Sequence, residues 1–169
     1  MSLGRKLAGG LKDLQGSSGT KSGGTIEAHE GDCRAKARAR ELDRLAVALD
    51  EVEVWTTLPR PAAEEARGVV EKQSRRIEER IGYLTEGLKT IEFDRADGVL
   101  QMRSAQAFSD GSEREYFELY LDGGWKAVLR RYKGSDEGHG RQAVSMSLTM
   151  EVLERLVNDL SAILTDRAS

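Results

Sequence analysis

One cysteine, two prolines and two histidines in 169 residues each remove a class of explanation. Cys33 alone cannot close an internal disulfide, and small secreted domains usually carry several paired cysteines, so a cytoplasmic location is expected. With so few histidines, neither a Ser-His-Asp nor a Cys-His machine is expected. No uncharged run approaches the roughly 18 residues of a spanning helix. Arg5, Lys6, Lys12 and Asp13 also interrupt the first leucines where a signal peptide needs an unbroken apolar stretch. An integral membrane segment is therefore not expected. Charge of one sign is lacking too: 26 basic against 29 acidic residues leave −3, so only a local patch can hold a polyanion. Aromatics are 5% and hydrophobics 38%, enough for one modest core.

Eight of the 18 glycines fall in residues 1–32, together with a Ser/Gly/Thr/Lys run from Gly16 to Thr25, and this composition predicts a flexible tail. Leu3, Leu7, Leu11 and Leu14 stand at helical spacing within it, so the first fourteen residues could fold against a partner or a lipid surface. From Arg34 to about Thr56, Leu42, Leu45, Leu49 and Val52 are spaced 3, 4 and 3, which reads as a helix. Pro59 and Pro61 break it. A second helix is expected over about Ala62 to Glu86, on Val70, Ile77, Ile81, Leu84 and Leu88. The short connection makes the two an antiparallel hairpin over 33–88.

After Lys89 the apolar period becomes 2. Asp97-Gly98 predicts a turn that sets Ile91 and Phe93 opposite Ser104 and Met102. Ser109 to Glu113 reads as a loop. Arg114 to Lys133 forms a second hairpin, whose three-residue loop Asp122-Gly123-Gly124 puts Phe117, Leu119, Leu121, Trp125, Ala127 and Leu129 on one face. Gln142 to Leu148 is a fifth strand, and Thr149 caps a final helix with an apolar stripe from Leu153 to Leu164. The expected fold is thus α+β. A helical hairpin (33–88) precedes an antiparallel sheet of about five strands (89–148), covered by a C-terminal helix (149–166), all in one domain over 33–169.

Little chemistry is visible. His29, Glu30, Asp32 and Cys33 carry ligating atoms but lack metal-site spacing, and Gly134 to Arg141, with His139, lacks the Gly-Lys-Ser/Thr end of a phosphate loop. Neither metal nor cofactor nor enzymatic activity is expected. One constellation stands out, on the outward face of the second hairpin: Tyr116, Tyr120 and Tyr132 among Lys126 and Arg130. The proposed register sets Tyr116 opposite Arg130 and Tyr120 opposite Lys126. Such rings and cations can stack unpaired bases and neutralise phosphates, and they also stabilise a sheet by cross-strand pairing alone.

Residues 99–160 resemble the β-β-β-β-α unit of PUR-repeat and Whirly-type single-stranded nucleic-acid binders. The likeness is closest at Ala143-Val-Ser-Met-Ser-Leu-Thr-Met-Glu-Val-Leu, where a strand passes directly into a helix. It implies a curved sheet that binds strands on its open face and dimerises. The function expected first is a non-catalytic interaction or assembly module, self-associating through sheet and helices, with a like subunit or another protein as partner. Single-stranded nucleic-acid binding on the open sheet face is the alternative.

Overall fold

A computed structural model describes residues 1–18, 23–43, 45–84, 87–104, 108–110, 113–135 and 140–167. Its helices are α1 (Leu3–Ser18), α2 (Ala63–Arg80) and α3 (Met150–Thr165). The strands are β1 (Gly24–Glu30), β2 (Cys33–Leu42), β3 (Ala46–Thr56), β4 (Leu88–Asp94), β5 (Val99–Ser104), β6 (Phe108–Asp110), β7 (Glu113–Asp122), β8 (Lys126–Ser135), β9 (Arg141–Val144) and β10 (Met146–Thr149). Among the described residues all ten form one antiparallel sheet, whose main path runs β1-β2-β3-β8-β7-β5-β4.

This corrects the expected helical hairpin. Residues 33–42 and 46–56 are two paired strands, and only the second half of the expected hairpin is helical, as α2. In β2, Cys33, Ala35, Ala37 and Ala39 are buried and alternate with Arg34, Lys36, Arg38 and Arg40, the period-2 signature of a half-covered strand. Irregularities explain the helix-like leucine spacing. The β2–β3 register shifts between Arg38 and Ala39 and again between Ala39 and Glu41, with Arg38 facing Glu51 and Ala39 facing Leu49. The extra residue, Asp50, lets Leu49 and Val52 face the same core although they are three apart. Leu45 lies in the turn, 75% exposed.

The expected five-stranded sheet is likewise too small, because residues 1–32, read as a tail, contribute a helix and an edge strand. Leu3, Leu7 and Leu11 of α1 are buried. Each is worth about 1.5–3 kcal/mol, against about 1 kcal/mol that each of Gly9 and Gly10 costs the helix. The leucines therefore fold against the chain's own sheet and α3, not against a foreign surface. At Gly4 the two helices touch: its N–H donates to Asn158 Oδ1 at 2.8 Å, and an added Cβ would run into the Glu154 carbonyl.

The sheet forks. Residues 52–55 of β3 pair with 126–129 of β8, after which the two strands part. Into the fork comes the segment 141–149, which runs antiparallel along β8 as β9, bends at Ser145 and returns antiparallel along β3 as β10. α3 follows at once, with Thr149 Oγ1 accepting from the Val152 N–H at 3.2 Å. Its Leu153, Leu156, Val157, Leu160, Ile163 and Leu164 are buried against β3, β2 and β8. α2 lies over β4, β5 and β7. Gln73 on α2 donates to the Gly124 carbonyl at 2.9 Å, which ties that helix to the β7–β8 turn. All three helices contribute to one core with Val54, Leu119 and Leu129, so they cover one face of the sheet. No described helix is long and apolar enough to cross a membrane.

Candidate functional site

Strand geometry makes the opposite face. Since alternate side chains point to opposite sides, burying Phe117, Leu119, Leu121, Ala127 and Leu129 under the helices turns Tyr116, Tyr120, Lys126, Arg130 and Tyr132 outward. The five residues singled out from the sequence therefore share one face. Their pairing differs from the expected register: Tyr116 faces Tyr132, Glu118 faces Arg130, Tyr120 faces Val128 and Asp122 faces Lys126. The loop is Gly123-Gly124-Trp125, with both glycines left-handed (φ 54° and 77°), where the expected loop began one residue earlier. A Cβ on Gly124 would lie 2.6 Å from Val69 of α2, so close approach demands glycine as well. Because the slide is two residues, the faces are unchanged.

Across the strands the outward side chains fall into rows. One holds Arg34, Trp55, Lys126, Asp122 and Val99; the next holds Lys36, Glu53, Val128, Tyr120 and Gln101. The third alternates in sign: Arg38, Glu51, Arg130, Glu118, Arg103. Glu53, Glu51 and Glu118 each lie between cations. Glu53 meets Lys36 and Lys126 at 2.7 Å each. Glu51 meets Arg130 at 2.5 Å and Arg38 at 3.5 Å. Glu118 meets Arg103 at 3.1 Å and, from the fork segment, Arg141 at 2.6 Å. Burial opposes ionisation of Glu53, but the bonds from Lys126 and Lys36 outweigh it and hold its carboxyl at about 2. Burial likewise works against Arg141, but its bonds to Glu118 and Tyr120 prevail and raise its affinity for the proton.

Depth separates most of the charge. Glu51, Glu53 and Glu118 are at most 10% exposed, whereas the six cations are 29–55% exposed, so these three carboxylates lie within the face and the cations reach water, while Asp122 in the first row is an exposed acid. Two tyrosines are drawn into this layer. Tyr116 and Tyr132 are 6.1 Å apart, with the Arg103 guanidinium 4.3 Å over the first and that of Arg141 4.0 Å over the second. Tyr120, Val128, Tyr132, Lys126, Arg130 and Arg141 surround a pocket of about 250 Å³, which Val99 and Asp122 complete.

Sequence reasoning missed Arg103, Arg141, Glu51 and Glu53 as members of this face. The signal was present in Glu51-Val-Glu-Val-Trp55, which alternates, and was hidden by the helical reading of 34–56. The other candidates disperse. His29 is exposed on β1 and Glu30 pairs with Lys6, while Cys33 is buried. Among the described residues no three His, Cys, Asp or Glu side chains group to hold a metal ion. His139 and its neighbours 136–138 lie outside the described residues. No protein-family model, no curated protein and no solved structure matches the chain.

Proposed function

We propose that the protein is a non-catalytic interaction module whose recognition surface is the open sheet face, and that this face takes an extended polyanion, a single nucleic-acid strand. The observation that carries the reading is the depth order of charge. Six half-exposed cations surround three covered carboxylates, a local excess of positive charge on a chain of net charge −3. Along β2 the outward cations Arg34, Lys36 and Arg38 recur every second residue, about 6.7 Å apart. A polymer with one charge per unit complements such a row. The likeness of residues 99–160 to PUR-repeat and Whirly-type binders implies the same class of partner.

Titration of a labelled single strand at several salt concentrations tests this. Log K should fall with log salt at roughly 0.7 per neutralised phosphate, a slope of about 2–3 for three or four engaged cations. Replacing Arg38, the most exposed of the six, by Gln should lower the slope by about 0.7 and leave the fold intact. Binding independent of salt, or none at low ionic strength, would remove the reading.

Self-association is a second reading, supported by the edge of the sheet. β1 ends the strand path, is paired with β2 over all seven residues without a register shift, and so presents an even edge, whereas β4 at the far edge is shifted between Thr90 and Glu92. Light scattering over a range of concentrations should then report a dimer that Glu27→Pro, which removes an N–H pointing out from the open edge, weakens. A monomer at every concentration rejects it.

A further inference from the structure

From the pocket over Val128 we infer a subsite for one nucleotide unit, in which a base enters between Tyr120 and Tyr132 while its phosphate meets Arg130 and Arg141. The inference rests on the polyanion reading of the face and goes beyond it by naming where a base, rather than charge alone, is recognised. Size is the first argument. At about 250 Å³ the pocket falls below the roughly 300 Å³ at which sites for whole small ligands begin, so it suits one unit of a longer chain. Composition is the second. Its floor is the apolar Val128 with Val99, two phenol rings stand beside it, and Lys126, Arg130 and Arg141 supply the cations. That is the complement of a flat apolar ring carrying an anion. Third, the cations are held in place. Arg130 is tied to Glu51 and Arg141 to Glu118, each carboxylate at most 7% exposed, so little side-chain order must be gained on binding. Asp122, which also lines the pocket, adds an acceptor that a base N–H, such as N3–H of thymine, can use.

The experiment compares three polyanions on the full chain by competition: a short oligothymidylate, inorganic polyphosphate and polyglutamate. Val128→Met fills the floor without altering charge, and Tyr120→Leu removes a ring; neither touches a buried carboxylate. Oligothymidylate should bind the unaltered chain most tightly, and each variant should weaken it about tenfold or more, the scale of one base–aromatic stack. Polyphosphate binding should stay unchanged in Val128→Met; Tyr120→Phe, which loses the bond to Arg141 but keeps the ring, is the control for Tyr120→Leu and should retain the preference for oligothymidylate. Equal losses for both polymers, no loss for either, or a preference for polyglutamate would overturn the subsite while leaving the face a polyanion surface. If the unaltered chain binds none of the three, the reading of the face fails as well. Circular dichroism of both variants separates loss of the pocket from loss of the fold, and Val128→Ile serves as a second, milder filling.

Discussion

Glu53 illustrates how a single side chain connects the fold to the face. Its carboxyl is held at about 2, below its ordinary 4.5, against a burial effect of opposite sign. A group with a depressed folded pKa contributes stability that is fully present above its unfolded value and is lost as pH falls toward the folded one. Urea denaturation of the unaltered chain and of Glu53→Gln should therefore differ by a constant amount above about pH 4.5. The gap should shrink below that and close near pH 2. A gap that widens on acidification would contradict the Lys36–Glu53–Lys126 arrangement. At this scale the sequence was half legible. Alternation around Asp122-Gly123-Gly124 separated Tyr116, Tyr120 and Tyr132 from Phe117 and Leu119, because face membership needs only the parity of the register. Which acid answers which cation needs the register itself, and that turned on a one-residue choice of loop that Trp125 decides by entering the turn.

Among the elements, α1 is the one whose behaviour separates docking from intrinsic propensity. A free helix gains from any Gly→Ala change, by up to about 1 kcal/mol. Gly9 has nothing within 4 Å of an added Cβ, so Gly9→Ala should stabilise the protein by up to that amount. Gly4 abuts the α3 backbone, so Gly4→Ala should destabilise by about 1–3 kcal/mol, the cost of overpacking. Thermal melts of the two variants should thus move in opposite directions; a rise in both would mean that α1 does not rest on α3. α3 was plain in the sequence because cap, first-turn acid and apolar stripe agree. β2 and β3 were not. Alanine favours helices on its own, the bulge at Asp50 set Leu49 and Val52 three apart, and Leu42, Leu45 and Leu49 kept helical spacing only by straddling the turn.

For the molecule as a whole, the apolar periodicity anticipated an α+β chain with an antiparallel sheet, but composition hid its extent. A tail rich in glycine has no apparent means of ordering itself; here the means is non-local, since Leu3, Leu7 and Leu11 find their partners on α3 and on strands that follow them. Composition weighs each segment alone and cannot see such a partner. The pairing of α1 with α3 also sets an order of events during synthesis. The apolar side of β3 emerges from the ribosome about a hundred residues before α3, the helix that packs on it, several seconds at ordinary elongation rates. Through that interval the nascent chain holds a half-sheltered ribbon, and completion of the fold awaits the arrival of its last helix.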